Sequence, residues 1–531
     1  MKKLLFVGAS SLALLAAAPA MAQNNESTVT QTGTTGTATV DQTGSNGKST
    51  ITQGGDGNSA KLVQGGDFSR SEIVQDNGTG SSDDDNSAEV TQQGNDQFSR
   101  IVQINDFSAA TVKQAGTGND SRVTQSGDLD NANVDQDGTD NDSRITQSGN
   151  LNNAAVLQEG NRNISTLTQS SGLNQAIVNQ QGGDANESRL VQTGVGANVA
   201  NVLQTGDDNL SDIIQGGAGN GVGSTAAAGI VQESTGNDAI IRQAGGLRSA
   251  FIKQEEANNN FASINQGEDV SSNQTAEIRQ AGFQNRGTIT QRGFFENAEI
   301  LQSGDKNIAT IYQGGGTGFG HDALVDQSGN DNLAEIAQRG EDQTASVDQS
   351  GDGNEAEVDQ GRDRLSGIAG LFDANFGENQ TASISQGGND NTASTIQRGE
   401  NQSATIEQVG SRNTGAAGFL FGAQIVQGGN DGRNNQATIR QISDENSALT
   451  TQMGSTMASL VVQEGWLNQS TVDQDGSGHT ANVSQGGNSN LSELVQTGTG
   501  NTANVTQNSH FNESYINQAG NGNVATVIQG N

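Results

Sequence analysis

The sequence predicts an all-β fold, a β-solenoid of about 21 two-strand coils, and three observations predict it. Glutamine recurs at a spacing of eleven residues, as at Gln31, Gln42, Gln53 and Gln64, Gln125, Gln136, Gln147 and Gln158, and Gln496, Gln507, Gln518 and Gln529. Small, apolar and polar residues alternate with period two before each of these glutamines. The single proline, Pro19, lies near the N-terminus, so the rest of the chain is free to donate every backbone N–H to a ladder.

The alternation is regular enough to count. There are 42 such glutamines, some separated by 12 to 26 residues rather than eleven. Val, Ile or Leu stands two residues before the glutamine in 40 of them, with Thr395 and Thr450 as the exceptions. Ala or Ser stands four before in 41, with Gly287 as the exception. Asn stands six before in 25, and Gly two after in 32. The unit N-x-[AS]-x-[VIL]-x-Q-x-G is a strand with one face in and one face out, followed by a turn. A helix would scatter these columns around its circumference.

The small residue fixes the coil. It alternates from Ser27, Ala38, Ser49 and Ala60 to Ser211 and Ala228, and again from Ser470 to Ala525. The true repeat is therefore 22 residues, one Ser strand and one Ala strand, and 42 rungs make 21 coils. Like strands should stack in parallel, with Ala or Ser, the aliphatic residue and the glutamine between two sheets. The core is thin. Stacked Gln and Asn amides, each bonded to its copies above and below, are expected to supply the rest, because a buried amide left unpaired costs about 1–3 kcal/mol. Glycine at the turn is expected to supply backbone angles that other residues resist. On the outer face, Asp120 beside Arg122 and Asp142 beside Arg144 should form neighbouring opposite charges.

Around the repeat lie other signals. Residues 1–22 read as a secretory signal peptide: Lys2 and Lys3, an apolar run, then Ala20-Met21-Ala22. The repeat domain is then 23–531, with inserted loops near 76–86, 216–226, 361–379 and 409–421. No other stretch is long and apolar enough to be a transmembrane segment. Removing the signal takes away two lysines and turns the net charge of −35 into −37, which disfavours nucleic acid. Low hydrophobicity (31%) and 73 glycines alone would suggest disorder, and only the periodicity argues otherwise.

At this point the pattern resembles the curlin repeat. "NESYINQAGNGNVATVIQ", Asn512–Gln529, carries it in Ser514, Ile516, Gln518, Gly520, Asn523, Ala525, Val527 and Gln529. The resemblance covers nearly all of the chain after the signal, with many more repeats than familiar curlins and without their polar segment ahead of the first rung. It implies an amyloid-like solenoid whose open ends template further subunits, as in the curli fibres of bacterial biofilms. It further implies a secreted, cell-surface protein that partners itself or related curlin-like subunits and is served by outer-membrane export and nucleation machinery. The glutamines named above would be the assembly ladder, and the last rung, ending at Gln529, would leave an open strand edge. The alternative is a monomeric secreted rod, an adhesin or spacer that binds through its inserted loops.

No catalytic, cofactor or metal residue is predicted, and the chain is not expected to be an enzyme. There is no cysteine. "GGDGNSAKL", Gly54–Leu62, resembles a calcium nonapeptide, but Ser59 occupies the place of its aspartate. His321 and His479 fall in the Asn column and read as turn substitutions. Column serines lack a companion base. The loop residues Leu371, Phe372, Phe376, Phe419, Leu420 and Phe421 are either a contact site or a cover folded over the rod.

Overall fold

In the computed structural model, residues 24–76, 84–193, 197–216, 221–222, 229–245, 248–256, 258–267, 273–361, 377–414 and 422–530 are described. The predicted signal peptide and the loop residues Leu371, Phe372, Phe376, Phe419, Leu420 and Phe421 lie outside them. The described residues form strands and turns and no helix. They fall into two compact units, Met1–Asn259 and Asn260–Asn531. The first contains ten two-strand coils and the second eleven, with one ladder glutamine for each of the two strands of a coil.

The predicted alternation is the observed burial. In Asp142–Gln147 the residues Ser143, Ile145 and Gln147 are buried, while Asp142, Arg144 and Thr146 reach towards solvent. Pairing is parallel and in register one repeat on. Ser121 lies against Ser143 and Ser143 against Ser165, and the glutamines 125, 147 and 169 align likewise. The Ala strands stack separately, Ala132 on Ala154 and Gln136 on Gln158. Successive strands of each kind are about 4.8 Å apart, so every side chain meets its own counterpart. Burying one aliphatic residue such as Ile145 contributes about 1.5–3 kcal/mol. Coils contact only their neighbours, so these gains add along a unit.

Insertions leave this register intact. The chain between Gln64 and Gln92 and between Gln349 and Gln386 is longer than one repeat, 28 and 37 residues, yet each pair still shares an amide hydrogen bond of 2.8 Å. The rungs on either side of each insertion therefore stay in register.

The glycine two residues after the glutamine serves two ends. In many coils it supplies the expected angles, as at Gly94, Gly116, Gly138 and Gly160 (φ 139°, 92°, 125° and 112°). In others it makes room: at Gly127 a Cβ would stand 1.7 Å from the carbonyl oxygen of Gly149, one coil on. A left-handed residue also recurs four after the glutamine, as at Leu129 (φ 59°), and in most coils it is not glycine.

The serine column is not a continuous hydrogen-bonded ladder. The hydroxyls of Ser71 and Ser99 meet at 2.9 Å, but those of Ser121, Ser143, Ser165 and Ser188 are buried without a partner among the described residues. The second unit fills the same column with Ala309, Ala334 and Ala356. Ser143→Ala should therefore stabilise the first unit by about 1 kcal/mol, by removing an unpaired buried hydroxyl. Urea unfolding followed by far-UV circular dichroism measures this.

Candidate assembly ladder

The twelve ladder glutamines named from the sequence all lie in strands, with their amides in columns along each sheet. Gln125 Nε2 donates to Gln147 Oε1 at 2.9 Å, and Gln147 to Gln169 at 2.9 Å. On the facing sheet Gln136 donates to Gln158 at 2.8 Å and Gln158 to Gln180 at 2.9 Å. Gln31 and Gln42 donate to Gln53 and Gln64 at 2.6 and 2.5 Å, and these continue to Gln75 and Gln92 at 2.8 Å. In the second unit Gln496 donates to Gln518 and Gln507 to Gln529, both at 2.8 Å.

Every one of these bonds points the same way, from Nε2 towards the C-terminal neighbour. The direction is locked by the main chain. The same Nε2 group also donates across the core to a carbonyl sixteen residues back: Gln125 to Ala109 O (2.9 Å), Gln136 to Asp120 O (3.0 Å), Gln518 to Thr502 O (3.0 Å), Gln529 to Glu513 O (2.8 Å). An amide turned around would set Oε1 against that carbonyl. Each glutamine thus joins its coil to the next and its sheet to the facing one.

The Asn column forms the expected side-chain stack in some coils, Asn174 Nδ2 donating to Asn152 Oδ1 (3.1 Å) and Asn198 Nδ2 to Asn174 Oδ1 (2.8 Å), and bonds to main chain in others. Asn141 Oδ1 accepts the main-chain N–H of Asn163 (2.9 Å), and its Nδ2 donates to Gly160 O (2.9 Å). The shorter side chain turns back to the main chain of the next turn. His479 reproduces both halves: its Nδ1 accepts from Asn501 N (3.2 Å), and its Nε2 meets Asp475 O (3.1 Å). This fixes the tautomer with the proton on Nε2. His321 occupies the same column, but neither ring nitrogen has a partner among the described residues, and burial lowers its pKa to about 4. His510 serves another turn column, its Nδ1 accepting from Asn488 N (3.0 Å).

A second ladder in the turns was not legible. Asp128 Oδ1 accepts from Asp106 N (3.2 Å), and Asn150 Oδ1 accepts from Asp128 N (3.1 Å). Its signal is the recurrent Asp or Asn after the turn glycine, which composition alone renders as surface charge. On the strand faces Arg122 Nη2 meets Asp120 Oδ2 at 2.6 Å, as expected, although register sets Asp142 against Asp120 and Arg144 against Arg122. Coil-to-coil ion pairs such as Lys61–Glu89 (2.8 Å) and Arg440–Glu407 (2.9 Å) are solvent-exposed and contribute at most about 1 kcal/mol each.

Asp130 is the buried exception in the Asn column. Its Oδ1 accepts from Asn152 N (3.0 Å), and its Oδ2 is buried without a partner among the described residues. A carboxylate cannot donate as Asn141 does. Burial raises its pKa to about 6, partly offset by the N–H of Asn152.

These columns can order and join chains of coils. Among the described residues no group of three or more His, Asp and Glu side chains is arranged to hold a metal ion. No helix among them is long and apolar enough to cross a membrane.

Two outcomes follow. Gln147→Leu removes a donor and an acceptor and should cost the first unit about 2–4 kcal/mol. Gln529→Leu, with one ladder neighbour in the chain, should cost less than half of that. Hydrogen exchange of the flanking strands reads both. The pH responses of the coils around Asp130 and His321 should have opposite signs. Asp130 has a raised pKa, so its contribution is full below 3.8 and is lost as pH rises through about 6, on the order of 3 kcal/mol. His321 has a lowered pKa, so its contribution is full above 6.5 and is lost as pH falls towards 4. Exchange measured from pH 4 to 8 should show the crossing, and Asp130→Asn should flatten the first profile.

Comparison with known proteins agrees with the columns. The family model "curlin associated repeat" matches residues 138–170, 297–329, 329–361 and 388–414. No curated protein matches the chain. Both units contain a match, and the matched segments have the same columns as the coils around them. The chain is thus a β-solenoid in which four segments match the curlin associated repeat.

Proposed function

We infer that the chain is an exported structural protein, a curli-like subunit that assembles end to end and serves adhesion and the biofilm matrix. The observation that carries this reading is the one-directional amide ladder on parallel, in-register strands. Each coil is bonded to the next as it would be bonded to a coil of another copy. Among the described residues the strand Val524–Gln529 pairs with Thr502–Gln507, and its outward Val524 and Ile528 are 74% and 69% exposed. The strand Glu26–Gln31 is a Ser strand and Val524–Gln529 an Ala strand. A second copy docked N-terminal end first would therefore continue the alternation without a fault, Gln31 and Gln42 offering Oε1 to the donors of Gln518 and Gln529.

The reading places the protein at the cell surface, with itself or related curlin-like subunits as partner, exported and nucleated by outer-membrane machinery. It assigns the chain no catalytic role. The competing reading, a monomeric rod that binds through its insertions, rests on the apolar loop sequences alone.

Two measurements test the proposal. The chain without residues 1–22 is diluted from denaturant, and thioflavin fluorescence is followed with and without preformed seeds. Seeds should abolish the lag. A β-rich product that stays monomeric and ignores seeds would favour the rod. Stacked carboxylates repel, so growth should also accelerate with added salt and near the pI of about 4.1. Rates insensitive to both would remove charge as the brake.

A further inference from the structure

One edge of the first unit carries an apolar line that its own folding does not require. The left-handed turn position is held by Phe107, Leu129, Leu151 and Leu173 in four successive coils (φ 58°, 59°, 64° and 66°). They are consecutive because each N–H bonds to the turn one coil earlier: Phe107 to Asp84 O, Leu129 to Asp106 O, Leu151 to Asp128 O, Leu173 to Asn150 O. Their exposures are 47%, 51%, 49% and 56%.

Two penalties fall on each of these residues. A branched or aromatic side chain is disfavoured at positive φ, where Gly, Asn and Asp are preferred. It also leaves half of an apolar side chain in water. The opposite edge of the same coils has Asp96, Gly118, Asp140 and Arg162 in this position. The turn thus accepts polar residues, and the four apolar ones gain nothing visible inside the chain.

We propose that this line is a lateral contact between two copies of the chain, formed by the same four residues on each. Two copies related by a two-fold axis across the line set Phe107 against Leu173 and Leu129 against Leu151, so the edge is its own complement. The area decides when this contact forms. Four half-exposed side chains offer roughly 400 Å² per partner, about half of the ~800 Å² of a stable complex. Two free copies therefore pair weakly. Copies held in a row repeat the contact once per copy, and the weak contacts then act together. The strength of pairing, though not its geometry, rests on the end-to-end reading above. The product is a paired filament.

The test compares the parent chain with the combined variant Phe107→Asn, Leu129→Asn, Leu151→Asn and Leu173→Asn. Asparagine is at ease at positive φ, so the variant keeps its fold, which circular dichroism checks. Electron microscopy counts single and paired filaments grown from the same seeds. The expected result is equal elongation rates, with the paired fraction at least tenfold lower in the variant. Single filaments from the parent, or equal pairing by both chains, would overturn the proposal. If neither chain elongates, the end-to-end reading fails separately. Sedimentation at high concentration then decides: a weak dimer of the parent that the variant lacks sustains the lateral contact, and identical monomers refute it.

Discussion

The fold depends on the primary amide of one glutamine per strand. Its Nε2 serves two acceptors at once, the Oε1 of the next coil and a carbonyl of the facing sheet, as Gln136 does with Gln158 and Asp120. No other side chain in the repeat ties both directions. The aliphatic residue beside it is buried but interchangeable among Val, Ile and Leu, because a thin apolar layer needs volume rather than geometry. The amide has no substitute of equal reach. Asparagine falls one methylene short of the facing sheet and divides its bonds between turn main chain and, in some coils, the next asparagine.

Close stacking follows from this ladder and governs the turns. A coil height near 4.8 Å brings successive turns so close that Gly127 has no room for a Cβ beside Gly149. Several serine hydroxyls in this stack make no hydrogen bond among the described residues, and Ala takes the same column elsewhere. The coil height also sets like charge on like charge along the outer faces, Asp120 on Asp142 and Arg122 on Arg144, with relief from neighbours within a strand. A structure of this kind tolerates insertions, because each rung is specified by its own strand and not by the length of chain before it. The 37-residue step from Gln349 to Gln386 leaves the amide bond unchanged.

Polarity is the functional consequence. An amide column whose donors all face one way gives a stack two unlike ends, donors at one and acceptors at the other. Such ends fit each other and not themselves. The lateral line of Phe107, Leu129, Leu151 and Leu173 is of the other kind, fitting a copy of itself. The first suits growth along the stack, the second association across it.

Much of this was legible before any coordinates. Period two across seven residues determined the strands, the Ser–Ala alternation determined the 22-residue coil, and the near-invariance of glutamine within the chain identified the ladder. These are properties of single columns, and a column is visible in one dimension. The sequence could not decide what depends on distances between coils. It left open the direction of the amides, the reason for the turn glycine, the main-chain role of Asn141 and His479, and the alignment of the four apolar turn residues along one edge. Each of these is set by the stacking distance and by which edge a turn lies on, and both come into being only when one coil closes on the next.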